Sequence, residues 1–292
     1  MTYLDDDDHV FAAARPMLLG LAYRLLGSRA DAEDAVQDTW LKWRAATTDA
    51  VDNPGGWLTT VCTRRCIDMM RSAHRSRVEY VGNWLPEPLP TAADDGVSLA
   101  SSLTTAFLLV LERLTPKERA AYLLHEVFDV SYAETARTLQ MDEVNCRKLV
   151  SRARGHVEQA RVRHVTPRER QEELLAAFEA AVVGGHTGRL AALLASDVEL
   201  QVDSGGKVAA LRDTLRGREA VLAFVRDTLH RVGGTLVWEA PDLNGTRALV
   251  LRAPDGSTLA AVSFAYDEQG AATGIYIMRN PDKLVGLASM TP

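Results

Sequence analysis

The chain has 292 residues, 47% hydrophobic and 25% charged, which fits a globular protein of two or three domains and excludes a disordered or fibrous chain. A formal net charge of −6 excludes a uniformly basic nucleic-acid coat, yet charge is sorted along the sequence. Residues 1–53 carry ten acids against five bases, residues 57–77 five arginines against one acid, and residues 142–164 five arginines and one lysine against three acids. Such sorting suits an acidic face for a basic protein and basic faces for nucleic acid. The acidic N-terminus is no secretion leader, and no apolar run approaches the ~20 residues of a membrane span, so a cytoplasmic protein without a membrane partner is expected. Cys62, Cys66 and Cys146 are then read as small buried residues, with no disulfide, metal or cofactor.

Apolar residues at helical spacing predict a first helix over 9–26 closed by Gly27. Ser28 with Asp31 opens a second helix to about Arg44, and Asn53-Pro54 starts a third to about Arg77, giving a compact bundle. Residues 80–98, rich in proline and small or acidic residues, read as a linker. A fourth helix is expected over 99–113. Thr115-x-x-Glu118 and Ser131-x-x-Glu134 are capping boxes that start helices at 116 and 132, and Asp142 caps a helix reaching about 160. The last two have helix-turn-helix spacing, although Gln140 stands where many such turns have glycine. Beyond Thr166-Pro167, helices at 168–183 and 187–195, a strand at 198–203 and a helix at 217–232 precede strands at 235–240, 246–252, 257–266 and 272–279. Asn244-Gly245, Asp255-Gly256 and Gln269-Gly270 separate those strands. Helices followed by a curling antiparallel sheet predict an α+β domain.

Three stretches carry chemistry. In DAEDAVQDTWLKWR, Asp31, Asp34 and Asp38 share a helix face edged by Trp40 and Trp43, a surface for a basic protein. In residues 56–77, Arg64, Asp68, Arg71 and Arg75 form a stripe flanked by Arg65 and Arg77, suited to a phosphate backbone, with Asp68 orienting Arg64 and Arg71. In the second helix of the helix-turn-helix, Glu143, Asn145, Arg147 and Lys148 lie on the turns that enter a major groove. Ser151, Arg152 and Arg154 further along suit phosphates.

These segments resemble regions 2 and 4 of the extracytoplasmic-function (ECF) sigma factors. YVGNWLPEPLP (80–90), DSGGK (203–207) and NPDKL (280–284) resemble signatures of their SigJ-like subgroup, with Asn83 and Ser204 departing from its usual residues. The resemblance implies a multidomain chain: two all-α sigma domains (helical bundle, 1–79; helix-turn-helix, 99–165) around a Pro-rich linker (80–98), plus a C-terminal α+β, SnoaL-like (NTF2-like) cone over 166–292. It implies an RNA polymerase sigma factor, not an enzyme, that binds core polymerase (β′ clamp and β flap) and promoter DNA. Its own C-terminal domain would regulate it in place of a separate anti-sigma factor. Core-binding candidates are Asp34, Gln37, Asp38, Trp40 and Leu41. Candidates for the −10 element are Asn53, Trp57, Arg64, Arg65, Arg71 and Arg75, with a flipped base held against the 47–56 loop. Those for a TGTCACA-like −35 element are Glu143, Asn145, Arg147, Lys148, Ser151, Arg152 and Arg154. Regulatory candidates are Trp84, Pro86, Asp203, Gly205, Gly206, Lys207, Asn280, Pro281, Asp282, Lys283 and Leu284. On the residues alone an alternative stays open: a helix-turn-helix regulator whose C-terminal pocket, with Asp203, His230, Trp238, Tyr266, Tyr276 or Arg279 facing it, senses a small ligand or catalyses a reaction.

Overall fold

The computed structural model describes residues 6–46, 51–78, 80–91, 103–160, 166–233 and 235–288; the side chains of 6–7, 73–78 and 232–233 lie outside that description. Two compact units result, Met1–Val78 with Leu111–Gln159, and Glu79–Val110 with Ala160–Pro292.

In the first unit, α1 (Asp6–Leu26), α2 (Arg29–Ala45) and α3 (Pro54–Val78) form the expected bundle. Gly27, at φ +69°, ends α1, and the Ser28 hydroxyl accepts the Asp31 N–H at 3.3 Å to start α2. Leu18, Leu21, Leu25, Ala35, Trp43, Leu58, Cys62 and Cys66 make the core. The Cys66 thiol is held well above its ordinary pKa by its hydrogen bond with Cys62 and by burial, so it stays neutral as a core residue.

α4 (Thr105–Glu112) passes from the second unit, which includes residues 105–110, into the first, whose helix-turn-helix part has α5 (Pro116–Tyr122), a π-helical turn (Leu123–Val127), α6 (Tyr132–Leu139) and α7 (Glu143–Gln159). Of the fourth helix expected over 99–113, residues 99–102 lie outside the described residues. Thr115 and Glu118 form the reciprocal capping box. Cys146, Val150, Ala153 and Val157 are the buried stripe of α7. Arg119, 4% exposed, bonds both Glu112 and the Leu25 carbonyl at 2.6 Å, tying α5 to the end of α1. At the turn, Gln140 takes the left-handed conformation (φ 53°, ψ 58°) that glycine would adopt without strain.

In the second unit, α8 (Arg168–Gly184) and α9 (Gly188–Leu193) lead into β1 (Leu194–Asp203) and a two-residue β2 (Leu215–Arg216). Next come α10 (Arg218–Phe224), a π-helical turn (Val225–Leu229) and α11 (His230–Gly233). β3 (Val237–Glu239), the hairpin β4–β5 (Asp242–Leu243, Thr246–Arg247), β6 (Leu249–Arg252), β7 (Thr258–Tyr266), β8 (Ala272–Met278) and α12 (Pro281–Leu284) complete it. The sheet runs β2-β1-β8-β7-β6-β3. It is not wholly antiparallel as expected: β1 lies parallel to β8, because the helices after β2 carry the chain across to β3 at the opposite edge and the antiparallel run β3-β6-β7-β8 comes back to end beside β1. The helix expected to reach 195 stops at Leu193, where β1 begins, and β2 was not anticipated.

Alternation along these strands sorts two cores. Leu200, Val202, Leu249, Leu251, Val262, Phe264, Ile275 and Ile277 face α8–α10. Val250, Ala261 and Met278 face the other way, covered by Leu85, Leu243, Leu284 and Leu287. The linker segment therefore supplies part of the sheet's second core.

Because the exposed Gln140 side chain contributes little, Gln140→Gly should relieve the left-handed strain and stabilise the first unit by about 0.5–1 kcal/mol. A denaturant midpoint shift followed by circular dichroism measures it, and an unchanged or lowered midpoint would contradict the strain.

Candidate functional site

Helix α2 turns Ala32, Ala35, Val36, Thr39 and Trp43 inward. Trp43 is core, tilted against Trp57 at 5.4 Å, not an edge of the acidic surface. Asp34, Gln37, Asp38 and Leu41 form an outward stripe at i, i+3, i+4 and i+7, with Leu41 57% exposed. Trp40 is half-buried against Phe11 at 4.7 Å. Asp38 accepts a 2.6 Å hydrogen bond from Arg65 Nε, so an acid of this stripe is bonded to a base of the next.

Asn53 caps α3 by accepting the Gly56 N–H at 2.9 Å. Arg71 pairs with Asp68 at 3.6 Å. Arg64, expected against Asp68, instead donates from Nε and Nη2 to the Thr138 and Arg137 carbonyls, both at 2.9 Å. These are orphan acceptors at the C-terminus of α6, where the helix dipole favours a cation. Thr60 and Thr138 hydroxyls bond at 2.9 Å, and Lys117 Nζ reaches the Leu139 carbonyl at 3.3 Å. Between the two elements lies a groove of about 550 Å³ lined by Asn53, Trp57, Thr60, Arg64, Phe128 and Arg137. The Arg75 side chain and residues 47–50 of the loop lie outside the described residues.

In the helix-turn-helix, Asp142 accepts the backbone N–H of Asn145 at 2.8 Å, which holds its carboxyl below the ordinary range, and also the Asn145 side-chain amide at 2.5 Å. Arg147 bonds Glu143, and Arg154 bonds Glu126 at 2.5 Å. Lys148, Ser151 and Arg152 are exposed. Val144, 63% exposed, shares the outward stripe with Lys148 and Ser151, opposite the buried Cys146 and Val150. It was not among the candidates; its helical offset from Lys148 and Ser151 was the available signal, and an apolar group there suits a thymine methyl.

The three subgroup signatures, one in the linker and two in the C-terminal region, meet around one carboxylate. Asp203, fully buried at the end of β1, accepts from Tyr80 Oη (2.6 Å), Leu85 N (2.9 Å), Gly205 N (3.0 Å) and Lys283 Nζ (2.8 Å). Lys283 also donates to the Leu85 carbonyl at 2.6 Å and lies over the Trp84 ring at 4.4 Å. Asn280 donates to Tyr80 Oη at 3.0 Å and caps α12 by accepting the Asp282 N–H, with Pro281 in the first turn. A Cβ on Gly205 (φ +59°) would stand 2.5 Å from Asn280, so that position needs glycine. A Cβ on Gly206 would press on Val81 at 3.0 Å. Leu85 and Pro86 are buried, and Leu284 packs in the same core. Lys207 pairs with Asp282, both about half exposed or more. Residues 89–91 are held by Asn244 and Asp242, through reciprocal Leu89–Asn244 bonds and Thr91 N to the Asp242 carbonyl at 3.1 Å. Burial, then the bond to Asp203, push the Tyr80 hydroxyl far above its ordinary pKa, so it stays a donor. Tyr80 was not singled out; an aromatic opening a Pro-rich run was its signal.

Asp203 thus spends both oxygens on residues 80–85 and its own loop, not on a pocket. His230 bonds the Val182 carbonyl and Arg279 the Ala209 carbonyl. Trp238 pairs through Leu251 with Ala260, at the opposite end of β7 from Tyr266, and Tyr276 packs instead against the second core. No cluster of three metal-ligating side chains and no helix able to cross a membrane occurs among the described residues.

Residues 10–76 match the family model for Sigma-70 region 2, and 104–157 that for Sigma-70, region 4. A curated relative, the ECF RNA polymerase sigma factor SigJ of Mycobacterium tuberculosis, is 34% identical over 94% of this chain and 92% of its own. The probable ECF RNA polymerase sigma factor SigI of that organism is 28% identical over 97% of each chain. The crystal structure of the M. tuberculosis extracytoplasmic function sigma factor SigJ matches with a TM-score of 0.74, at 32% identity over 94% of this chain and 97% of that one.

Removing a buried charge's partner costs about 3–5 kcal/mol, whereas an exposed pair contributes about 0–1. Asp203→Ala should therefore strip hydrogen-exchange protection from residues 80–91, and Lys207→Ala should leave it near wild type. Equal protection in both variants would deny Asp203 this role.

Proposed function

The chain belongs to the ECF RNA polymerase sigma factors, and from that premise we propose which of its surfaces meet polymerase and promoter, and that its C-terminal domain regulates it. As a sigma factor it binds RNA polymerase core and promoter DNA, initiates transcription at specific promoters, and is not an enzyme.

On our reading the stripe of Asp34, Gln37, Asp38 and Leu41, with Trp40 beside it, docks on the β′ clamp. Asn53, Trp57, Arg64, Arg65, Arg71 and Arg75 hold the −10 element, and the 47–56 loop a flipped base. The exposed turns of α7 read the −35 element while the domain sits on the β flap. The SnoaL-like cone grips residues 80–91 through Asp203, Lys283 and Asn280 and so restrains the segment joining the two sigma regions. That clasp is the observation carrying the regulatory reading: the Pro-rich linker, expected to serve as a docking strip for the C-terminal domain, is built into the sheet's second core. A built-in restraint of this kind replaces a separate anti-sigma factor, and the work is done in the cytoplasm, where core polymerase is.

Three outcomes are expected. In a core-polymerase pull-down, Asp34→Arg, an exposed site without the Arg65 bond of Asp38, should lose about tenfold or more in affinity; unchanged affinity removes the stripe from the interface. On matched and mismatched −35 elements, Arg147→Ala should relax base choice, whereas Arg154→Ala should weaken all sequences alike and lower the salt slope by about one; identical behaviour would cancel the division between base and phosphate contacts. In run-off transcription, Asp203→Ala and a chain ending after residue 165 should each change output severalfold against wild type, with Lys207→Ala unchanged. Wild-type output from all three would leave the cone without a regulatory role.

A further inference from the structure

Arg147 is not a loose surface arginine. Its Cζ lies 4.2 Å from the centroid of the Tyr132 ring. Tyr132 in turn stacks on His125, with ring centroids 3.7 Å apart and planes 29° from parallel. His125 is fixed in the π-helical turn by donating from Nδ1 to the Val130 carbonyl at 2.9 Å. Tyr132 is fixed as the first residue of α6 by the Ser131 cap, whose hydroxyl accepts the Glu134 N–H at 3.2 Å and donates to its carboxylate at 2.8 Å. Glu143, one helical turn before Arg147, takes the guanidinium edge-on, Oε1 accepting from Nε at 3.1 Å and Nη2 at 2.5 Å.

These contacts use one face and one edge of a planar fork. Nη1 and the second Nη2 proton have no partner among the described residues, and the side chain remains 57% exposed. That end of the fork has the spacing to donate to O6 and N7 of a guanine. A guanidinium already held in plane loses less rotamer freedom when it binds than a free one. A helical Glu–Arg pair alone contributes little; the aromatic shelf, on a different helix, is what fixes the plane.

We propose that Tyr132 is a positioning residue for promoter reading: its ring, backed by His125, is the shelf that presents the Arg147 guanidinium end-on to a guanine of the −35 element. The proposal rests on the reading of Arg147 as a base contact. It makes the first residue of the first helix, which itself need touch no base, a determinant of specificity.

The test is selection of duplexes from a library randomised over the −35 element, by the full chain bound to core polymerase, scored position by position. Wild type should prefer guanine at one position, and Arg147→Ala should lose that preference. Tyr132→Leu should reduce the same preference about three- to tenfold and leave the others, while Tyr132→Phe retains it. Tyr132→Met, of similar bulk without a π face, should behave as Tyr132→Leu does, which guards against one variant folding poorly. If Arg147→Ala changes no preference, the parent reading of Arg147 fails. If Arg147→Ala acts but the Leu and Met variants keep the guanine preference, or lose all preferences evenly, the shelf is overturned while Arg147 stands.

Discussion

A buried carboxylate organises the second unit. Asp203 closes β1 with no exposed surface, and a charge taken from water must be matched by donors in fixed places. Two donors come from residues 80–85, one from its own glycine turn and one from Lys283 just after β8. Such an arrangement adds little net stability over an apolar substitute, because desolvation offsets most of the attraction. What it supplies is register: a shift of one residue along 80–91 would leave the carboxylate and the Lys283 ammonium unmatched. The apolar side of the clasp supplies the driving force, since Val250, Ala261 and Met278 need a cover and Leu85, fully buried, contributes about 1.5–3 kcal/mol by itself. Grip and register thus come from different groups, and on the proposed regulatory reading a restraint to be released benefits from the separation. Loss of the polar match costs steeply, whereas the apolar contact decays gradually as the segment peels away.

Satisfaction of orphan backbone groups plays the corresponding part in the first unit. The last carbonyls of α6 are met by Gln140 and Met141 N–H groups from the turn and by Arg64 and Lys117 from outside it. Arg64 is also in the stripe proposed for the −10 element, and with Nε and Nη2 on the two carbonyls its Nη1 and second Nη2 proton are the donors left for a phosphate.

Local chemistry made most of the elements legible. Gly27 and Ser28, the Thr115 and Ser131 capping boxes, and Asn244-Gly245, where both residues have positive φ as a tight hairpin turn requires, mark boundaries through groups a few residues apart. The parallel pairing of β1 with β8 was not legible, because partners so far apart in sequence leave no local trace. Residues 80–91 were legible as a Pro-rich strip on which the C-terminal domain could dock, but not their exact partners, since nothing local in Tyr80, Trp84 and Leu85 announces Asp203 and Lys283. A further clue lay in β6, whose Leu249–Arg252 are buried on both faces. A strand apolar on alternate and intervening positions needs cover on both sides, and the helices of the cone supply only one. For the candidate sites, residue type and helical face were readable, but partners were not: Arg64 turned to carbonyls rather than to Asp68, and Arg147 to an aromatic shelf.

Most of the basic groups assigned to DNA already have acidic or carbonyl partners within the chain. Arg65 bonds Asp38, Arg71 pairs with Asp68 and Arg154 with Glu126. Phosphates must displace these partners, but each is at least partly exposed and contributes only about 0–1 kcal/mol, so the acids moderate non-specific binding without blocking it. The Arg65–Asp38 pair has a further consequence, because on the proposed assignments its two members serve different partners. A basic clamp that takes Asp38 removes the group Arg65 would otherwise have to leave, and DNA that takes Arg65 frees Asp38 in the same way. Linkage makes the effect reciprocal and bounds it by the strength of the pair, about fivefold at most. Core binding and promoter binding would then favour one another through a single 2.6 Å hydrogen bond, with no change of fold required.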